Sequence, residues 1–320
     1  MRQSMCISVI GCGRWGSLIA WYLDRLGHDV TLYGRKSSVQ MARFFADRKN
    51  DYLTLPASVK LTTSLDEALA AEITVISVGS QQLRALMQEM QSHPQTDRIF
   101  VLCMKGIEVA TGKRLSEVVG EYRNERTAVW LGPGHVQDFY AGQPNCMVID
   151  SADKATRDLL VEQFSSELIR FYYGTDLIGN EIGAAAKNVI GIAAGMLDGF
   201  GYPSLKGALM SRAPTEVARL IVALGGKERT AYGLCHLGDY EATLFSAHSH
   251  NRRFGECFVR GETFDRLAEG YYTVDAMVRM AKTYGVELPI CNAIYRILYQ
   301  GAESKTELDT LFARALKREF

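Results

Sequence analysis

Residues Cys6–Ile10 form a short β-prone run that passes at once into Gly11-Cys12-Gly13-Arg14-Trp15-Gly16 and a helical stretch over residues 17–26. A G-x-G-x-x-G between a strand and a helix admits few folds. Gly11 permits the tight turn, Gly13 lets backbone approach a pyrophosphate, and Gly16 lets helix and strand pack, with the helix N-terminus facing the anion. A second strand is expected over Asp29–Tyr33. An acidic residue just past it would hold the ribose hydroxyls of NAD, but Gly34, Arg35, Lys36 and Ser37 stand there instead. Two cations and a hydroxyl suit a 2′-phosphate, so the reading favours NADP(H), with NAD(H) open and a solvated basic turn as the alternative.

Further strands are expected over residues 59–62, 73–78, 99–103, 127–131, 146–149 and 169–173, most of them separated by helical stretches. Ser64 with Glu67 three residues on has the capping-box pattern. The alternation implies a doubly wound sheet, which binds ligands beyond the carboxyl ends of its strands. Two loops there join a glycine to an anion-binding group: Lys105-Gly106, and Gly132-Pro133-Gly134-His135. His135 itself reads better as part of a surface turn.

From about Gly179 the pattern turns helical, with helices expected over residues 207–224, 263–284 and 288–298. The fold class is thus an α/β N-terminal Rossmann-type doubly wound sheet, residues 1–178, followed by an all-α C-terminal domain, residues 179–320, with the active site expected between them. At the start of the second domain, Gly179, Gly183, Gly191 and Gly195 fall at steps of four with Lys187 in their midst. Each interior glycine costs about 1 kcal/mol relative to alanine, so the row must serve close approach. It is either a helix-packing seam with Lys187 reaching to water, or a groove for a ligand. Residues 237–255, rich in Gly, Ser, His and Arg, are expected to lie outside the core. His248 and His250 alternate as on a strand and with His236 and Asp239 offer donors for a metal, but the spacing is looser than metal motifs show and an anion pocket accounts for the same residues better. No metal is expected.

With 36 basic and 36 acidic residues in 320, the chain carries no formal net charge, which argues against general nucleic-acid or anionic-membrane binding. No apolar span reaches membrane length, and seven scattered cysteines without a Cys-x-x-Cys pair fit reduced thiols in a cytoplasm.

The chain resembles the bacterial, soluble type of NAD(P)-dependent glycerol-3-phosphate dehydrogenase over nearly its whole length. The resemblance rests on Gly-x-Gly-x-Trp-Gly, Lys105-Gly106, Gly183-Ala-Ala-Ala-Lys-Asn-Val-Ile190, Ala223-Leu224-Gly225-Gly226, Leu237-Gly238-Asp239, Asn251-Arg252, and Ala268-Glu269-Gly270 before Pro289-Ile290. It implies interconversion of glycerone phosphate and sn-glycerol 3-phosphate, a small phosphorylated substrate, and a homodimer. It makes Lys187 the catalytic proton carrier and places Lys105, Asp239, Ser249 and Asn251 at the substrate; Gly132, Gly134 and His250 are also expected there, with Asn188 and Thr243 orienting the substrate hydroxyls. Gly11, Gly13, Arg14, Trp15, Gly16, Arg35, Lys36, Lys105, Arg252, Leu267 and Glu269 fall to the cofactor. Two places depart from the family: Gly134-His135 follow Gly-Pro where serine and then an aromatic are usual, so a hydroxyl contact to substrate is missing, and His250 stands where an arginine expected to bind phosphate precedes the asparagine. A related dehydrogenase for another small hydroxy acid or alcohol, or a non-catalytic dinucleotide sensor, are the alternatives.

Overall fold

The structure, a computed structural model, describes residues 3–313; the outermost residues of the two expected domains, 1–2 and 314–320, lie outside it. The chain forms two compact units. One holds the chain up to Lys105 together with Lys113–Glu181, the other Gly106–Gly112 together with the chain from Ile182 onward.

The first unit alternates β1 (Cys6–Ile10), α1 (Arg14–Arg25), β2 (Asp29–Tyr33), α2 (Val39–Asp47), β3 (Lys60–Thr62), α3 (Leu65–Ala68), β4 (Ile73–Ile76), α4 (Leu83–Met90) and β5 (Ile99–Leu102). It continues with α5 (Leu115–Gly120), β6 (Arg126–Leu131), α6 (Val136–Tyr140), β7 (Asn145–Ser151), α7 (Lys154–Phe164) and β8 (Ile169–Tyr173). The eight strands form one sheet in the order β3-β2-β1-β4-β5-β6-β7-β8. Strands β4 and β5 are buried along their whole length, which is why they read as unbroken apolar runs. The strand order reverses at β1, with β2 on one side and β4 on the other, all three parallel, which sets the ligand-binding end of such a sheet at the carboxyl ends of these strands.

The sheet is not parallel throughout, because β7 runs antiparallel to β6. The five-residue α6 between them is too short to carry the chain back across the sheet, so β7 starts at the end where β6 stops. The capping box is only half formed. Ser64 Oγ accepts from the Glu67 N–H at 3.3 Å, but the Glu67 carboxylate binds Thr62 Oγ1, which takes the Ser64 N–H at 3.0 Å.

The helices α8 (Leu177–Gly199), α9 (Leu205–Ala223), α10 (His250–Arg260), α11 (Glu269–Tyr284), α12 (Pro289–Gln300) and α13 (Ser304–Phe312) complete the chain. The expected helix over 263–284 starts only at Glu269. Its start is set by tertiary contact: the Gly270 N–H, one of the donors a helix N-terminus leaves open, is taken by Asn251 Oδ1 at 2.9 Å. Residues 237–255 also differ from expectation. A 3-10 turn (Leu237–Asp239) and a π-helical turn (Glu241–Phe245) bury Asp239, Tyr240, Thr243 and Leu244, and His250 opens α10 rather than lying on a strand. Among the described residues no helix is long and apolar enough to cross a membrane.

Candidate active site

In the first unit the three sequence-marked loops converge at the carboxyl ends of β1, β5 and β6. Gly11 has φ +113°, and a Cβ there would lie 2.2 Å from the Ser77 carbonyl oxygen. A Cβ on Gly16 would lie 1.8 Å from Gly11 O, whereas Gly13 faces open space. Helix α1 begins next to it with no side-chain cap and no acidic residue in its first turn, so its N-terminal N–H groups fit a pyrophosphate. Arg14 Nη2 donates to His135 Nδ1 at 3.3 Å and to Gln137 Oε1 at 3.4 Å. Lys105 Nζ donates to Gly132 O at 2.7 Å and lies 5.8 Å from the centre of the Trp15 ring. Gly134 has φ +145° with the Phe139 ring where a Cβ would be, so a side chain is excluded twice over. His135 is therefore more than a surface turn: half-buried, with Nδ1 accepting, it orients Arg14. Arg35 and Lys36 are exposed just past β2, before Ser38 caps α2.

In the second unit the glycine row of α8 explains itself. Gly183, Lys187, Gly191 and Gly195 share one face, and the segment from His236 to Glu256 lies along it in chain order. A Cβ on Gly183 would touch His236 at 3.0 Å, on Gly191 Thr243 at 2.8 Å, and on Gly195 the Arg252 carbonyl oxygen at 1.8 Å. Opposite, a Cβ on Gly255 of α10 would lie 2.1 Å from Ile192 O, so α8 and α10 pack backbone to backbone. The row is a packing seam, and Lys187 is its one polar member. Lys187 is 7% exposed, its Nζ 2.9 Å from Asp239 Oδ2 and 2.8 Å from Thr243 Oγ1. The Thr243 hydroxyl donates in turn to Asp239 O at 2.7 Å, so its proton is already committed within the protein.

The remaining residues fall into two groups. Asn251 bridges helices, its Nδ2 donating to Asn188 Oδ1 at 3.0 Å while its Oδ1 takes the Gly270 N–H. Ser249 caps α10 by accepting the Arg252 N–H, and His250 follows it half-buried, edge-on to Phe264 at 6.3 Å. Arg252 pairs with Asp198 at 2.7 Å and with Glu256 at 3.3 Å, and its Nε donates to Ser246 O, so it holds α10 to α8. Glu269 opens α11 half-buried, and Leu267 before it is exposed. Sequence reasoning missed the buried pair beside Lys187: His236 Nδ1 bonds Gly183 O at 2.9 Å and Tyr240 Oη bonds His236 Nε2 at 2.8 Å. Burial pushes the His236 pKa down to about 4, against weaker opposing effects from Gly183 O and Asp239. The i, i+4 spacing of His236 and Tyr240 was the only available signal. Among the described residues no three metal-binding side chains cluster.

A glycine-rich strand-to-helix turn with an open helix N-terminus in one unit, and a buried lysine–carboxylate pair in the other, define a nicotinamide-dinucleotide-dependent dehydrogenase. Residues 6–157 match the family profile described as NAD-dependent glycerol-3-phosphate dehydrogenase N-terminus, and residues 176–309 the corresponding C-terminus. The chain belongs to that family. It is 37% identical to glycerol-3-phosphate dehydrogenase [NAD(P)+] of Chlorobium limicola, over 98% of this chain and 99% of that one, and 35% identical to the Thermoanaerobacter protein of the same name, over 98% and 99%. The crystal structure of glycerol-3-phosphate dehydrogenase from Coxiella burnetii superimposes with a TM-score of 0.90 at 27% identity, covering 97% of this chain and 99% of that one.

Proposed function

We propose that the protein reduces glycerone phosphate to sn-glycerol 3-phosphate with NAD(P)H, preferring NADPH, and so supplies the backbone of glycerophospholipids. The observation that carries this reading is the buried Lys187 ammonium held between Asp239 and Thr243. The N–H groups of Gly13 and the first turn of α1 would hold the pyrophosphate of a bound dinucleotide, which would supply the hydride chemistry for the carbonyl carbon. Lys187 gives its proton to the carbonyl oxygen, while Asp239 holds the ammonium in place before the transfer. Thr243 fixes the lysine rather than meeting a substrate hydroxyl, and Asn188, tied by Asn251, is the better candidate for that contact. The NADPH preference is supported by exposed Arg35 and Lys36 just past β2.

A second reading, a dehydrogenase for another small hydroxy acid or alcohol, is favoured by one observation: His250 opens α10 where the resemblance leads one to expect an arginine for phosphate. Oxidation of NADPH and NADH with a panel of small carbonyl compounds separates the two. Glycerone phosphate should be the preferred substrate, and preference for an unphosphorylated carbonyl would establish the second reading. The cytoplasmic setting is supported by seven scattered cysteines without a Cys-x-x-Cys pair, and the homodimer by the family resemblance, with mass by light scattering as its test.

A further inference from the structure

We propose that His236 and Tyr240 are positioning residues for the reaction: their buried hydrogen-bonded clamp sets where Asp239 and Thr243 meet Lys187. The inference rests on Lys187 as the proton donor. Both side chains are fully buried, with ring centres 4.9 Å apart and planes at 75°. Gly183 O can only accept, so His236 Nδ1 carries the proton and Nε2 accepts from the Tyr240 hydroxyl. Gly183 lies one turn before Lys187 on the same face of α8, so the clamp and the lysine are anchored on one rigid element.

The lysine's two partners hang on the backbone of this pair. Asp239 N donates to His236 O at 3.0 Å, Thr243 N to Tyr240 O at 3.0 Å, and Thr243 Oγ1 to Asp239 O. The clamp thus braces the turn and the π-helical step that carry Asp239 and Thr243, and π-helical turns, rare overall, are frequent at functional sites. Its depressed pKa keeps the His236 ring neutral at neutral pH, in the one tautomer that serves both contacts. If the clamp loosens, Asp239 and Thr243 drift from Nζ, and proton delivery suffers while substrate and dinucleotide still bind.

Three variants test this in the full-length protein. Tyr240→Phe keeps the ring and removes the hydroxyl; His236→Asn keeps a donor for Gly183 O and loses the acceptor for Tyr240; His236→Leu loses both. Tyr240→Phe and His236→Asn should each lower kcat for glycerone phosphate about three- to tenfold, and His236→Leu about thirtyfold or more, with KM and NADPH affinity within about twofold of wild type. The Tyr240→Phe/His236→Asn double variant should be no slower than either single one, because both remove the same bond. Modification of Lys187 by an amine-reactive reagent, read by peptide mass spectrometry, should speed up in Tyr240→Phe. Wild-type kcat in both mild variants, additive losses in the double variant, or unchanged labelling of Lys187 would overturn the clamp. If the wild type does not reduce glycerone phosphate, the functional reading fails and the labelling rate alone decides the clamp.

Discussion

Acid should act on this molecule through His236. The folded pKa of His236, about 4, lies below the ordinary 6.5, so between these values the unfolded chain takes up a proton that the folded one does not. Stability contributed by the neutral ring is therefore full above pH 6.5 and lost as pH falls toward 4, by on the order of 3 kcal/mol for that one group. The difference in unfolding free energy between wild type and His236→Asn, followed from pH 8 to 4, reads this directly. The wild-type curve should fall more steeply in that window, and parallel curves would refute the burial of a neutral imidazole. In the proposed preference for NADPH, Arg35 is the residue that would carry cofactor choice. Arg35→Asp removes a charge-assisted contact of about 1.5–3 kcal/mol and should lower kcat/KM for NADPH roughly ten- to hundredfold relative to NADH. Equal effects on both cofactors would make the basic turn a solvated surface.

Among the elements, α8 and α10 set the tolerance of the site, because they touch through backbone rather than side chains. Gly255→Ala gains about 1 kcal/mol of helix propensity, but it drives a methyl to 2.1 Å from Ile192 O, so a net loss of roughly 1–3 kcal/mol is expected from thermal or denaturant unfolding. A variant as stable as wild type would show that the two helices slide freely. The strands were legible in the chain because buried parallel strands are continuous apolar runs, as at Ile73–Ile76 and Ile99–Leu102. The reversal of β7 was not, since apolar pattern carries no direction and a short helix such as α6 looks like the start of a crossover. The glycine row of α8 announced close approach without saying what approaches. Within its partner segment, residues 236 to 256, the polar side chains that turn inward do so because they are satisfied there: His236 with Tyr240, Asp239 with Lys187, Asn251 with Asn188. Composition alone cannot show such pairing, which is why this stretch read as lying outside the core.

At the scale of the whole chain, the two-part plan followed from the change of period near Gly179. That Gly106–Gly112 leaves the first unit for the second did not, because a single short excursion leaves no periodic trace. The candidate site residues stand out in the sequence where chemistry needs a rare pattern, as in Gly11 to Gly16 and around Lys187, and less so where a residue acts through another, as with Thr243, Asn251 and Arg252. Two units thereby divide the work. One has the open N-terminus of α1, proposed for the dinucleotide, and the other holds a lysine against a carboxylate. The central claim is that this lysine moves the proton, and the most direct measurement is kcat of Lys187→Met with NADPH and glycerone phosphate, alongside NADPH binding by fluorescence. Turnover should drop by about two to four orders of magnitude with NADPH affinity within about threefold of wild type; turnover near the wild-type rate would contradict the account.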